Sequence, residues 1–300
     1  MWKFSFSPLD RQSHCRSDET QQAKWRAQDN VKLVVFNEDL QLLMSPDGLH
    51  AANAAHHTNA PDQQHWLYLG HAENTPWFSA VVDSHDFELS FHQQWKSLRL
   101  ALPLIAEPYA STIAYAKALH YWHQQHQYCG RCGEPTEIYS AGHELVCSHC
   151  DSAIYPRTDP AVIMSVTYKD ELLLARQSSW PEHRYSVLAG FVEPGESFEQ
   201  AVKREVWEES QLKVSNVEYL GSQPWPFPCS IMIGFTAEAS SQNVHLLDQE
   251  LEHAIWVNAD NFIEQLESGD IILPSSGSIS YHLVEHWAQS LGLNIAKYKH

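Results

Sequence analysis

Gly190–Leu212 reads GFVEPGESFEQAVKREVWEESQL. Gly190, Pro194 and Gly195 break regular structure over its first residues, and a helical pattern begins at Ser197. Ser197 followed by Gln200 is the S-x-x-Q signature of a capping box. Val202 and Val206 fall on one stripe that can face a core. Glu205, Glu208 and Glu209 stand at i, i+3 and i+4, which puts three carboxylates on one helical face. Like charges that close are mutually destabilising, so the pattern calls for a compensating group. Arg204 is one candidate, as an ion-pair partner on a solvated acidic face. A hard divalent cation such as Mg²⁺ or Mn²⁺ is the other, since a carboxylate cluster beside a Gly-Pro loop suits oxygen-seeking ions.

Around this stretch the chain has 300 residues, 43% of them hydrophobic, which is enough to bury cores in more than one domain. Its formal net charge of −18 disfavours a duplex nucleic-acid binder held by phosphate contacts, and leaves metal cations as natural ligands. No run of 18 apolar residues and no secretory leader pattern is present, so a cytoplasmic location is expected.

Residues 1–125 read as β-rich. VKLVVF (Val31–Phe36), QLLM (Gln41–Met44), HWLYLG (His65–Gly70), WFSAVVD (Trp77–Asp83) and FELSF (Phe87–Phe91) are short runs separated by turn formers, which predicts a small antiparallel sheet. The polar stretch 51–64 reads as a surface loop. From Ser111 the spacing of Ile113, Tyr115, Ala116, Leu119 and Trp122 is helical, with Ser111 or Thr112 as cap. Strands are expected at Ala161–Tyr168, ELLLAR (Glu171–Arg176), VEYLGS (Val217–Ser222) and IMIGFTAEA (Ile231–Ala239), and helices near Asp260–Glu267 and Ser278–Leu291. No long-period repeat is visible.

Of six cysteines, four form two pairs, Cys129/Cys132 and Cys147/Cys150, as C-x2-C-x14-C-x2-C. Two such knuckles close a tetrahedron of four sulfurs around zinc, with no open position for water, so the site is expected to be structural. His149 lies inside the second knuckle, where four thiolates already suffice. Cys15 and Cys229 are left over.

The stretch from Gly190 resembles the Nudix box, G-x5-E-x7-R-E-U-x-E-E-x-G-U, through Gly190, Glu196, Arg204, Glu205, Val206, Glu208, Glu209 and Leu212. Gln211 stands where that family has glycine; if the helix exit stays left-handed, a side chain there costs about 1–2 kcal/mol. The resemblance implies an α+β chain whose last part is a Nudix α/β/α sandwich with a mixed sheet. It further implies hydrolysis of a nucleoside diphosphate linked to another group. Glu205 and Glu209 would hold divalent metal, Glu208 would be ligand or base, the carbonyl of Ala189 and the carboxylate of Glu250 would add ligands, and Arg204 would orient the glutamates.

Ser222–Pro228, SQPWPFP, follows. Three prolines exclude a helix or a central strand and leave a stiff extended loop holding Trp225 and Phe227. It is similar to the marker of the NADH pyrophosphatases (the NudC subfamily), which carry a zinc ribbon ahead of the Nudix domain. That similarity implies domains at 1–125 (β-rich), 126–158 (zinc ribbon) and 159–300 (Nudix). It implies homodimers that split NAD(H) into nicotinamide mononucleotide and AMP and remove NAD caps from RNA 5′ ends. Substrate contacts are then implied at Gln223, Pro224, Trp225, Pro226, Phe227, Pro228, Cys229 and Ser230, and singly at Tyr155, Phe191, Ser280 and Arg99. One acidic contact of that subfamily is unmatched: Gly142 holds its place, with Glu144 two residues on. Two other readings share these motifs: hydrolysis of ADP-ribose, FAD or a diadenosine polyphosphate, and a catalytically silent protein that binds RNA ends.

Overall fold

The computed structural model describes residues 3–4, 6–45, 48–49, 52–53, 62–89, 92–106, 108–247 and 250–298. The chain forms two compact units: Phe6–Thr158 with Trp225–Cys229, here the N-terminal unit, and Met1–Ser5, Asp159–Pro224 and Ser230–His300, here the C-terminal unit.

The N-terminal unit opens with α1 (Glu19–Arg26), capped by the Asp18 side chain accepting from the Gln21 amide. Among the described residues seven strands follow: β1 (Lys32–Asn37), β2 (Leu42–Ser45), β3 (Gly48–Leu49), β4 (Ala52–Asn53), β5 (Leu67–Ala72), β6 (Thr75–Val82) and β7 (Gln94–Lys96). The sheet runs β3-β2-β1-β6-β5, with β4 on β1 and β7 on β2. It is not purely antiparallel, because β1 and β6 pair in parallel from Lys32↔Trp77 to Asn37↔Val82. Both strands are nearly continuous apolar runs, as a parallel pair buried on both faces requires. The expected strand at Phe87–Phe91 is absent over its described residues, 87–89. Phe87 is buried instead in the core of Trp25, Leu33, Val35, Trp66, Tyr68 and Phe78. Most of the expected loop at 51–64 lies outside the described residues.

After α2 (Leu98–Ala101) comes α3 (Tyr109–Gln125), which starts two residues before the expected Ser111. Pro108 is its N-cap and no side chain caps it; Ser111 Oγ donates to the carbonyls of Phe6 and Pro108, and Thr112 is buried. Three short strands, β8 (Thr136–Tyr139), β9 (Glu144–Cys147) and β10 (Ala153–Ile154), form the antiparallel sheet β10-β9-β8.

The C-terminal unit holds β11 (Asp159–Tyr168), β12 (Glu171–Arg176), β13 (Leu188–Phe191), α4 (Phe198–Ser210), β14 (Val214–Trp225), β15 (Ser230–Ala239), β16 (His253–Val257), α5 (Ala259–Ser268) and α6 (Ile279–Ser290). The sheet order is β14-β15-β11-β12-β16 with β13 on β11; β11 and β15 are parallel, and β12 is antiparallel to both β11 and β16. Alternation along the strands divides the core between two faces. Val162, Met164, Val166 and Leu173 pack with Val202 and Val206 of α4. Ile163, Leu172 and Leu174 pack with Phe262 of α5 and Leu283, Val284 and Trp287 of α6. This is an α/β/α sandwich around a mixed sheet. SQPW is not part of the expected loop: it ends β14, an edge strand that tolerates proline, and only residues 226–229 make the turn. Among the described residues no helix is long and apolar enough to cross a membrane.

Candidate functional site

The expected capping box starts α4: Ser197 Oγ accepts from the Gln200 amide at 3.2 Å, and the Gln200 side chain accepts from the Ser197 amide at 2.8 Å. This fixes the helix start and therefore the direction of its glutamates. Arg204 is the hub of the site. Its Nε and Nη2 donate to the two oxygens of Glu196 at 2.7 and 2.9 Å, Nη1 to Glu205 Oε1 at 2.8 Å and Glu208 Oε2 at 2.9 Å, and Nη2 also to the Phe191 carbonyl at 2.8 Å. One guanidinium therefore ties the loop before the helix, the end of β13 and two of the three glutamates together. The hydrogen bonds from Arg204 hold the Glu196 carboxyl down at about 2. Burial pushes Glu205 upward, opposed by Arg204 and reinforced by the charges of Glu208 and Glu250.

Gly190 opens the box for a steric reason. A Cβ there would stand 1.9 Å from the Glu205 carboxyl carbon, so the carboxylate lies directly over the glycine. Ala189 is its neighbour on β13, paired with Ile163. Glu209 is 3% exposed, whereas the Glu208 side chain is 52% exposed. Glu205, Glu208 and Glu209 do not bring one oxygen each within 4.8 Å of the others; Arg204 Nη1 holds one oxygen each of Glu205 and Glu208. Glu250 is exposed and acts on Glu205 through its charge. All-oxygen donors, one of them buried, and a glycine cradle that brings a carboxylate against the backbone fit a hard divalent cation. The helix exit keeps the left-handed turn despite the side chain: Gln211 has φ 59°, and its side-chain amide donates back to the Trp207 carbonyl at 2.8 Å.

The amide of Gln223, expected to face substrate, makes its hydrogen bonds within the protein. It is fully buried, its Nε2 donates to the carbonyls of Lys3 and Gly277 at 2.8 and 2.7 Å, and its Oε1 accepts from the Ile279 amide at 2.7 Å. Its amide is engaged inside the C-terminal unit, next to Ser280, which is buried with its Oγ 2.7 Å from that of Ser186. Phe191 is 60% exposed.

In the N-terminal unit, the loop rings meet edge to face, Trp225 and Phe227 centroids 5.0 Å apart at 70°. Arg99 of α2 stacks on both, and Lys117 of α3 donates to the Pro226 carbonyl at 2.9 Å. Pro226 is buried, Pro224 and Pro228 are exposed, Cys229 is half-buried, and Ser230, back in the C-terminal unit, is buried. Lys117 escaped the sequence reading because it sits 109 residues from its partner, in a helix whose spacing speaks only of packing.

The four cysteines gather as expected, with sulfur pairs at 3.4, 3.6 and 3.7 Å. A tetrahedron with Zn–S bonds of about 2.3 Å has edges of about 3.8 Å, so the cage has the right size. Amide groups of Arg131 and His149 point at Cys129 and Cys147 sulfurs at 3.4 Å, as in paired knuckles. Exposed Tyr155 donates to Glu144 Oε1 at 3.2 Å, and Ser140 Oγ donates to Glu144 Oε2 at 3.0 Å. Gly142 cannot carry an acid: its φ is +97° and a Cβ would strike Leu67 Cδ2 at 2.5 Å. The carboxylate beside Tyr155 is therefore that of Glu144.

Fold and site together define a Nudix-domain protein with a four-cysteine zinc ribbon. The sequence matches three families in order: the NADH pyrophosphatase-like rudimentary NUDIX domain over 23–122, the NADH pyrophosphatase zinc ribbon domain over 124–155, and the NUDIX domain over 157–273. The NAD-capped RNA hydrolase NudC of Pseudomonas fluorescens (strain Pf0-1) is 36% identical over 225 residues, 75% of this chain and 78% of the relative. The NAD-capped RNA hydrolase NUDT12 of Macaca fascicularis is 39% identical over 230 residues, 70% of this chain and 50% of the relative, so the chain spans about half the length of that protein. A solved NUDIX hydrolase from Nitrosomonas europaea aligns over 56% of this chain and 94% of its own at TM-score 0.45 and 17% identity. The chain belongs to the NudC family of Nudix proteins.

Proposed function

We propose that this protein hydrolyses the pyrophosphate of NAD(H) to nicotinamide mononucleotide and AMP, and removes NAD caps from RNA 5′ ends. The observation that carries the reading is the Arg204 hub holding Glu196, Glu205 and Glu208 on a capped helix, in a chain whose relatives are named NAD-capped RNA hydrolases. Ala189, Glu205, Glu208, Glu209 and Glu250 would hold Mg²⁺ or Mn²⁺, which when bound would neutralise phosphate oxygens and lower the pKa of the attacking water. The residues themselves divide the remaining work. Arg204 keeps Glu205 and Glu208 oriented by charge-assisted bonds. Glu208 Oε2 is bound to Arg204, which leaves Oε1, on an exposed side chain, to accept a proton from water.

For the substrate, Trp225, Phe227, Phe191 and Tyr155 would offer rings to flat bases, Arg99 would offer its guanidinium, and Ser280 a backbone contact. Gln223 acts by placing the marker rather than by touching substrate. The four cysteines hold one structural zinc. The working form in this reading is a cytoplasmic homodimer, with 1–125 supporting substrate, 126–158 as ribbon and 159–300 carrying the chemistry. Product analysis after incubation with NADH and Mg²⁺ or Mn²⁺ tests it. Reduced nicotinamide mononucleotide and AMP should form only with metal, and Glu209→Gln should slow the reaction by orders of magnitude with the fold intact. Near-full activity of chelated protein or of the variant sinks the mechanism.

A further inference from the structure

The loop Trp225–Cys229 connects two strands of the C-terminal sheet but packs as part of the N-terminal unit. Proline at 224, 226 and 228 removes three backbone donors, so the loop has little means of tying itself down. Its internal bond is from the Phe227 amide to the Trp225 carbonyl at 2.8 Å. Two cations hold it from outside. Lys117 Nζ donates to the carbonyl of buried Pro226 at 2.9 Å and lies 5.6 Å from the Phe227 ring centre. The Arg99 guanidinium carbon is 4.3 Å from that centre and 5.7 Å from the Trp225 ring. Phe227 in turn meets Trp225 edge to face, so whatever fixes Phe227 also fixes the Trp225 plane.

This arrangement is not what core packing alone would select. Burial and the like charge of Arg99 both press the Lys117 ammonium toward losing its proton. An apolar side chain would fill the same space without that opposition. The ammonium meets instead the one kind of group an apolar residue cannot hold, a carbonyl removed from water.

We infer that Lys117 is a positioning residue for substrate recognition: by holding the Pro226 carbonyl and Phe227 it fixes the Trp225–Phe227 pair as a surface for a flat heterocyclic base. The inference rests on the hydrolase reading above for the identity of the ligand, and on geometry alone for the holding of the loop. Lys117→Met keeps the stem and removes both the donor and the charge. Lys117→Arg keeps both.

The test combines hydrogen exchange over residues 222–230 with NADH binding, read by NADH fluorescence in chelator, and steady-state kinetics with Mg²⁺. In Lys117→Met the Phe227 and Cys229 amides should exchange about tenfold faster, the size of one lost charged hydrogen bond. NADH affinity should fall and KM should rise by a similar factor, with kcat within about twofold and the melting temperature little changed. Lys117→Arg should restore most of both. If Lys117→Met does not fold, Lys117→Gln, which keeps a donor and loses the charge, is expected to show the same pattern at a few-fold size. Unchanged loop exchange overturns the inference, and so does faster exchange with unaltered NADH affinity. Wild-type protein that binds NADH without hydrolysing it overturns the proposed function and leaves the exchange and binding comparison decisive for Lys117; wild type that does not bind NADH overturns both.

Discussion

The Glu205 carboxylate occupies the space that a side chain on Gly190 would fill: its carboxyl carbon is 1.9 Å, and its oxygens 2.1 and 2.2 Å, from the ideal Cβ position. Neither can change alone, because Glu205 is also held by Arg204 at 2.8 Å. Gly190→Ala should therefore move the carboxylate by on the order of 1 Å and lower kcat/KM roughly a hundredfold. Its circular dichroism should match wild type. An alanine variant of normal activity would mean that the position of Glu205 does not matter to the chemistry.

Gln211 ends α4 at φ 59°, a conformation that disfavours a Cβ. Gln211→Gly should raise stability by about 0.5–1 kcal/mol, the gain being trimmed by the lost bond to Trp207 and by the freer unfolded glycine. A urea titration reads this directly. Activity should hold, since the glutamates precede the turn; a loss of stability would show that the side-chain bond outweighs the backbone conformation.

His120 and His143 are buried, and burial brings their pKa values down to about 3 and about 4. The neighbouring His123 adds to the first effect and Arg16 to the second, while the bond from His143 to the Tyr68 carbonyl opposes it. An unfolded histidine titrates near 6.5, so between these values the unfolded chain carries protons that the folded one does not. Stability is thus full above about pH 6.5 and falls on acidification, by up to about 1.4 kcal/mol per pH unit for each histidine, until the folded values are reached. Glu196, held near 2, adds a loss in the same direction below the ordinary carboxylate range. Urea midpoints at pH 7.5, 6 and 5 should decline, and His143→Gln should shallow the decline. A flat profile from pH 6.5 to 5 contradicts buried neutral histidines.

One zinc per chain should survive a chelator wash, and Cys132→Ser should release it. Stability and solubility should drop before the chemistry does, because four thiolates close the cage with no open position and serve to hold the ribbon. Metal analysis with free-thiol titration decides; a disulfide in place of the metal refutes the cage.

What could be read in advance was what lies close in sequence. The capping box, the shared helical face of Glu205, Glu208 and Glu209, the buried Val202 and Val206 and the two cysteine knuckles are all set by spacings of a few residues, which helix and turn geometry translate directly into neighbours. Gln211 is also local, but a side chain in place of the usual glycine left its exit open, and the turn proves left-handed. Pairing across the chain was not legible. The runs at 31–36 and 77–83 look alike whether they pair antiparallel or, as found, parallel, because orientation is fixed by the connection between them rather than by composition. Residues 23–122 match a rudimentary NUDIX domain, but no acidic box like that at 190–212 marks them. In the marker, proline chemistry excluded a central strand, but SQPW extends the edge strand β14 rather than forming the loop expected of it. Nothing in the sequence distinguishes a glutamine that meets substrate from one that, like Gln223, is enclosed by Lys3, Gly277 and Ile279.

The interleaving of the two units in sequence bears on how the chain comes to be folded at all. Lys117 leaves the ribosome 109 residues before the Pro226 carbonyl it binds, and the Lys3 carbonyl waits 220 residues for Gln223. Neither unit is a contiguous segment. Closing such distant contacts is slow compared with forming local helices and hairpins. During synthesis the N-terminal unit must therefore persist with its last piece missing, and both units reach their final form together, late, when the hairpin that carries Trp225 and Phe227 is released.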